Sequence, residues 1–342
     1  MGMSEPKITV LMPAYNAGKF IGEAIRSVLG QSFSDFELLI VNDGSTDGTL
    51  SVIQTFDDER ITVINQANKG IAAALNIGLR YAKAFYIARF DADDICYPDR
   101  LKIQYEFITS NPDFSIVGSG ADYVDLYGNY VFTHQPDGFT NAQIQQLSYK
   151  ICPFIHSGVL YKKETILGYG GYNERAYTYE DHFLWANILK NEKVCNLAQP
   201  LIKVRLNPDS VTIDEKWRTN TFRSIKYSTL KKCFISKNEG LKLLEIGKKQ
   251  HSHRIKEGAY YALLGKKYLW NNYQPQKART NLLKTLSISP FHVKNYFLLL
   301  LSFLPEKALT SFYKAVKISA ANNTILPNNP LTERKELLDY DR

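Results

Sequence analysis

No apolar run in this 342-residue chain is long enough to cross a bilayer. The longest, YFLLLLSFL at residues 296–304, spans nine positions, against the roughly 20 a spanning helix needs. The opening MGMSEPK holds no apolar signal segment and leads straight into a short strand-like run. Cysteine is sparse. Cys96, Cys152, Cys195 and Cys233 are scattered and form no C-x-x-C pair, which excludes a cysteine zinc site and fits a reducing compartment. Glycine-rich phosphate loops of the GxGxxG or GxxxxGK[ST] kind are also missing. An ordinary dinucleotide or P-loop site is therefore excluded. Together these absences predict a cytoplasmic protein.

What is present is an ordinary globular composition, 44% hydrophobic and 22% charged, on a chain long enough for two cores. The net charge of +8 is uneven. Residues 1–215 carry 18 Lys/Arg against 26 Asp/Glu, a net of −8, and residues 216–342 carry 24 against 8, a net of +16. The break predicts an acidic first domain over 1–215, a basic domain over 216–325, and a loosely ordered tail over 326–342. The basic part is either a solvated lysine-rich helical surface or one drawn to a polyanion such as an anionic membrane face, where the chain would sit peripherally.

The first 95 residues alternate strand and helix signals. Apolar runs at residues 7–15, 36–43, 60–66 and 84–90 read as strands. GKFIGEAIRSVLGQS, LSVIQTF and the alanine-rich GIAAALNIGLRYA read as the helices between them. This is an α/β pattern with a mostly parallel, Rossmann-like sheet flanked by helices. Right-handed crossovers bring the strand C-termini to one edge, where ligands bind. Three of the strands end in polar turns there: PAYN, NDGSTDG and DADD.

A helix from Pro98, short strands such as SIVGSGADYVD and YVFTH, and a strand, helix and glycine turn in IHSGVLYKKETILGYGGYNE follow. A helix then begins near Glu180. Beyond residue 216 the chain reads as all-helical. Tyr261, Leu264, Gly265 and Tyr268, then Ala278, Leu282 and Leu286, then Pro290, resemble one tetratricopeptide unit and the start of another. An ordinary helical hairpin is the alternative. One such unit cannot stand alone, so it packs on the preceding helices or mediates homo-oligomerisation.

The chemistry-bearing stretch is FDADDICYPDR, residues 90–100. Converging carboxylates repel unless a cation lies between them. Mg²⁺ and Mn²⁺ prefer oxygen donors, commonly one or two carboxylates completed by phosphate and water. In extended backbone, residues two apart point the same way, so Asp91 and Asp93 face one ligand and Asp94 the other side. A solvated acidic turn is the plain alternative. Asp99 fits a helix start instead.

The blocks VLMPAYNAGKFIGEAIRSVLGQSFSDFELLIVNDGSTDGT, NKGIAAALNIGL, IARFDADDICYPDRLKIQ and YEDHFLWANI, in this order over roughly residues 7–210, resemble the family-two inverting glycosyltransferases of GT-A fold. The resemblance implies a divalent metal, Mn²⁺ or Mg²⁺, bridging protein and nucleotide-diphosphate sugar. It implies that Pro13, Ala14 and Tyr15 line the nucleoside pocket and that Asp43 contacts the base, though an Asx-type turn role would also suit Asp43. Asp91 falls near the ribose and pyrophosphate, Asp93 on the metal, with Asp94 the second candidate. Relatives carry an Arg-Asn pair where this chain has Leu75-Asn76, and the resemblance implies that Asn76 contacts the substrate. Lys69 either replaces that contact or is an exposed turn lysine.

Asp181 matches the family's general base, with Glu180 as fallback, for the acceptor hydroxyl. Acids favoured at a helix start are the alternative. His156 falls where relatives often have histidine, which implies a substrate contact, His182 lies beside Asp181, Trp185 suits the core, and Arg205 and Ser210 lie where relatives have a loop over the donor. The processive-synthase signature Q-x-x-R-W is absent.

The implied activity is metal-dependent, inverting transfer of a single sugar from a nucleotide-diphosphate sugar, expected to be a UDP-sugar, to a glycan or lipid-linked glycan acceptor in cell-surface polysaccharide synthesis. No nucleic acid is expected. The alternatives are a nucleotidyltransferase, which wants a glycine-rich basic loop that MPAYNAGKF does not supply, and a non-catalytic binding module on a degenerate transferase fold.

Overall fold

A computed structural model of the chain describes residues 5–210, 213, 217–250, 252–309 and 311. The tail expected at residues 326–342 lies outside the described residues.

The expected alternation is present. It runs β1 (Ile8–Ala14), α1 (Ile21–Leu29), β2 (Phe36–Asp43), α2 (Thr49–Ile53), β3 (Ile61–Gln66), α3 (Ile71–Tyr81) and β4 (Tyr86–Arg89). Strand β1 pairs in parallel with β2 and β4, and β2 with β3. Every residue of β1 and β2 is buried. That is why both read as unbroken apolar runs: helices cover both sheet faces. The period of two then divides the residues between two cores. Val10, Met12, Leu38 and Ile40 join one core, while Leu11, Leu39 and Val41 join the other.

The remainder of this part holds β5 (Ile95–Cys96), α4 (Arg100–Ser110), β6 (Phe114–Val124), β7 (Tyr130–His134) and α5 (Asn141–Leu147). A single 3-10 turn at His156–Gly158 leads to β8 (Leu160–Lys162), α6 (Lys163–Gly168), α7 (Glu180–Ile188) and β9 (Lys193–Arg205). The sheet order is β3-β2-β1-β4-β8-β6-β9-β5, with β7 on β6. Beyond β4 the sheet becomes mixed: β8 is antiparallel to β4 and β6, β9 is parallel to β6, and β5 is antiparallel to β9. The architecture is the expected helix-flanked α/β sheet, with its parallel half at the N-terminal end.

Strand β9, helix α5 and the two-residue strand β5 are elements the pattern did not announce. Strand β9 contains Pro200, and its pairing with β6 shifts register around Ser119 and Gly120, which breaks the alternation a strand is read by. Helix α5 buries only Ile144 and starts from a Thr140–Gln143 capping box, so it has no apolar stripe to detect.

The basic part is helical: α8 (Asn220–Lys232), α9 (Lys237–Gln250), α10 (His253–Trp270), α11 (Pro275–Ile288) and α12 (Val293–Leu301). Gly265 of α10 lies against Leu282 of α11, so the hairpin closes at its small residue. Two shared cores cross the boundary at residue 215. Phe222, Leu230, Ile235 and Leu243 pack with Tyr179, Phe183 and Ala186 of the α7 region. Tyr260, Leu264, Tyr268 and Leu301 pack with Val131, Phe132 and Leu206. The described residues contain no helix long and apolar enough to cross a membrane.

Helix α3 can approach β1 closely because residue 78 is glycine. A Cβ there would stand 2.1 Å from Leu11 Cδ1, and Leu11 is fully buried. Gly78→Ala is expected to cost about 1–3 kcal/mol by overpacking. Urea unfolding checks this, and an unchanged midpoint would contradict the packing.

Candidate active site

The carboxyl ends of β1, β2, β3 and β4 lie on one sheet edge, at Ala14, Asp43, Gln66 and Arg89. The first two loops interlock. Asn16 takes φ +50°, and its Oδ1 accepts the Thr46 N–H at 2.8 Å while its own N–H donates to Ser45 Oγ at 3.0 Å. Ala17 N–H donates to Thr49 Oγ1 at 2.8 Å, and Gly18 N–H to Asp47 Oδ2 at 3.0 Å. Pro13 and Ala14 are buried, and Tyr15 emerges 51% exposed.

Asp43 is 3% exposed. Its Oδ1 accepts the Lys69 N–H at 2.9 Å and Gln66 Nε2 at 2.6 Å, and its Oδ2 accepts the Gly70 N–H at 2.8 Å. Asp43 therefore clamps the loop before α3. The Asx-type contact within NDGS belongs to Asn42, whose Oδ1 accepts the Ser45 N–H at 3.3 Å. The Lys69 side chain is exposed beside this clamp.

Asn76 is a correction to the sequence reading, which put it on the substrate. Its Nδ2 donates to the Tyr172 carbonyl and its Oδ1 accepts the Tyr172 N–H, both at 2.8 Å. The amide is spent on backbone. Gly171 makes the clasp reachable with φ +73°, where a Cβ would meet Asn76 Oδ1 at 2.5 Å. Asn76 can therefore act on a ligand only by positioning Tyr172.

Strand β4 delivers the acidic turn. Arg89, its last residue, is 1% exposed and ion-paired to Asp91. Burial opposes the Arg89 charge, but the Asp91 carboxylate outweighs it and holds the guanidinium charged. The Arg89 Nε has no hydrogen-bond partner. The Asp91 side chain is 33% exposed, and its N–H donates to Ser157 Oγ at 3.0 Å. Burial and then the Asp91 charge push Asp93 up to about 6, against the Asn207 side chain and Arg89.

Asp94 differs from its neighbours. It is 2% exposed, and its Oδ1 accepts the Arg205 N–H at 2.9 Å. Burial, then Asp93 and Asp91, raise it well above the carboxylate range, against the Ser157 hydroxyl and the Arg205 N–H. Turned inward and committed to those donors, it does not suit the metal role held in reserve for it. Arg205 also binds the turn from below. Its Nε donates to the Asp93 carbonyl at 3.0 Å, and its Nη2 pairs with Glu23 at 2.6 Å. Asp99 stands at the α4 N-cap outside the site, accepting Ser32 Oγ at 2.6 Å.

Glu180 and Asp181 open α7. Glu180 is buried at 6% exposure. Burial and then Asp181 push it up to about 8, with smaller contributions from Arg89 and Asp91 that place it on the acidic-turn side. Asp181 is half-buried. Its Oδ1 accepts the His182 N–H at 2.6 Å, and its Oδ2 accepts the Cys152 thiol at 3.5 Å. Burial and then Asp181 raise the Cys152 thiol well above its ordinary value, which keeps it a donor.

His156 shares a 3.0 Å hydrogen bond with Tyr172 Oη and packs edge-on to Trp185. Burial, then Arg89, lower its pKa well below the ordinary range, so the ring is neutral. His182 is buried, with Nε2 2.5 Å from the Ser148 carbonyl. Trp185 is fully buried and belongs to the core.

Arg89, Ser157, Tyr172, Asn207 and Cys152 are the site residues that sequence reasoning missed. Only Arg89 left a signal: a lone cation inside the apolar run AFYIARF.

Among the described residues, no group of three or more His, Cys, Asp or Glu side chains is arranged to hold a metal ion. The partly exposed carboxylates of Asp91 and Asp93 can supply two of the oxygen donors that a hard cation takes. Their mutual repulsion fits a cation shared with a ligand rather than a closed protein cage.

The family model Glycosyl transferase family 2 matches residues 9–168. The chain is 33% identical over 217 residues to a Bacillus subtilis protein named as a glycosyltransferase, EpsE, covering 60% of this chain and 76% of that protein. It is 29% identical to the amylovoran biosynthesis glycosyltransferase AmsE of Erwinia amylovora, covering 61% and 80%. With an uncharacterized glycosyltransferase of Rickettsia felis it is 28% identical and spans only 46% of that protein. S. aureus TarS 1–349 in complex with UDP-GlcNAc superposes with a TM-score of 0.52 at 17% identity, covering 83% of this chain and 82% of that one. A Pyrobaculum calidifontis mannosyltransferase with GDP-Man and Mn²⁺ gives 0.51 at 17%, covering 86% and 85%. At these identities the structural likeness shows a shared fold.

Protonation of Glu180 yields a test in the ligand-free protein. Its folded pKa lies above the ordinary 4.5 at about 8. The stabilising contribution is thus complete below the unfolded value and is lost as pH rises through that window. Glu180→Gln is expected to flatten the decline in stability between these pH values. Unfolding midpoints measured across the range check it, and an unchanged slope would mean Glu180 is ionised throughout.

Proposed function

The chain belongs to glycosyl transferase family 2, and from that premise we propose that it moves one sugar, with inversion, from a nucleotide-diphosphate sugar to a hydroxyl of a glycan or lipid-linked glycan. The observation that carries this is the pair of partly exposed carboxylates, Asp91 and Asp93, just past the end of β4 with Arg89 as their buried counter-charge. Such a pair suits a divalent ion, Mn²⁺ or Mg²⁺, shared with a diphosphate. When bound, that ion would supply Lewis-acid stabilisation of the leaving diphosphate. Support for a UDP-sugar comes from the TarS complex, and support for a metal-bound sugar nucleotide from the mannosyltransferase. The name of AmsE supports a polysaccharide product.

The residues of this chain divide the remaining work. Pro13, Ala14 and the half-exposed Tyr15 form one wall of the nucleoside pocket. Asp43 holds the opposite loop through the Lys69 and Gly70 N–H groups, and Lys69 is placed to meet phosphate charge. Asp181 takes the proton from the acceptor hydroxyl. It is the more exposed of the two α7 acids, and the His182 N–H and Cys152 thiol orient it. Glu180, buried and protonated at neutral pH, presents no open carboxylate. His156 and Tyr172 form a neutral polar floor that lends the reacting centre no charge.

Two measurements test this reading. Titration calorimetry is expected to find UDP binding at least about tenfold tighter with Mn²⁺ present, with that gain lost in Asp93→Asn. Metal-independent binding would remove the shared-cation role. Asp181→Asn is expected to lower kcat by about 10²–10⁴-fold with little change in UDP affinity. Retention of the wild-type rate would remove Asp181 as the base.

A further inference from the structure

Helix α12 carries an exposed apolar stripe that continues into the turn after it. Val293, Tyr296, Leu300, Phe303 and Leu304 recur at helical spacing. Val293 is 76%, Leu300 70% and Phe303 68% exposed, and the preceding Phe291 is 93% exposed. The inner face of α12 is already used: Asn295, Leu301 and Ser302 are buried, and Leu301 joins the core with Tyr260 and Leu264. Exposed phenylalanine, valine and leucine gathered on one face form a surface of the kind that marks an interaction site.

The charge around the stripe selects the partner. From residue 258 to residue 305 the chain has six Lys/Arg and no Asp or Glu. The Arg279 guanidinium lies 4.8 Å from the Phe303 ring centre, and its Nη1 donates to the Ser302 carbonyl at 2.8 Å. Lys294 is exposed within α12, and Lys307 is exposed six residues past its end, beside the exposed Glu306. A second copy would bring the same positive field and be repelled. A helix with an apolar stripe rimmed by cations is the form that lies in a bilayer interface, and anionic headgroups attract each nearby cation.

We propose that the outer face of α12 is a membrane-binding surface, with Val293, Leu300 and Phe303 entering the interface of an anionic bilayer and Arg279, Lys294 and Lys307 meeting its headgroups. The surface is separate from the transfer site and does not depend on the reaction assigned to it.

Flotation of the full chain with phosphatidylcholine vesicles, with and without phosphatidylglycerol, tests this. Binding is expected to be at least about tenfold stronger on the anionic vesicles and to weaken as salt rises. Val293→Ser with Leu300→Ser, both on the exposed face, is expected to reduce binding about tenfold, with unchanged near-UV circular dichroism and unchanged UDP affinity. Lys294→Glu with Lys307→Glu is expected to abolish the preference for anionic lipid. Equal binding to both vesicles, binding to neither, or unaltered binding by the serine variant overturns the proposal. So does a dimer, seen by sedimentation, that the serine variant dissociates while vesicles bind neither form.

Discussion

The ion pair between Arg89 and Asp91 is the constraint from which the acidic edge follows. Carboxylates at the end of a buried strand repel each other in a poorly solvated setting. The chain answers with a guanidinium on the same strand, fully buried and charged. A second arginine, Arg205, reaches the same turn from the far end of β9 and binds it through backbone: its N–H goes to Asp94 and its Nε to the Asp93 carbonyl. Asp94 is buried on that contact, while Asp91 and Asp93 stay partly exposed. The three acids thus divide into one that fixes the turn and two that can serve a ligand.

The acceptor side depends on a different support. Helix α7 carries Glu180 and Asp181 at its start, and its other face is packed by Phe222, Leu230, Ile235 and Leu243 of the basic part. The α7 acids therefore owe their placement partly to residues beyond 216. The charge break in the sequence is real, but it is no boundary of packing. Two cores span it, one behind α7 and one behind β7. The Asn76–Tyr172 clasp adds a third tie, locking the glycine turn that precedes α7 onto α3.

Much of this was legible in one dimension. The apolar runs of β1 and β2, the helical spacing of α1 and α3, and the polar turns at the strand ends specify a parallel sheet with one ligand edge. They do so because period and burial leave direct marks on residue order. Strand β9 left none, because Pro200 and the register shifts opposite it break the alternation. Asn76 was misread for a related reason. An amide in an alanine-rich helix looks free in sequence, and only the fold brings the Tyr172 backbone, 96 residues away, within 2.8 Å.

By itself the sequence determined which residue types gather at the edge: Asp43, Asp91, Asp93, Asp94 and the α7 acids, delivered by elements whose order a local pattern encodes. Only the tertiary structure decided their division of labour. Whether a carboxylate faces outward, clamps a loop as Asp43 does, or is held protonated as Glu180 is depends on burial and on donors distant in the chain. Hydrogen bonding and desolvation act over a few ångströms of space, and separation along the chain does not encode that distance.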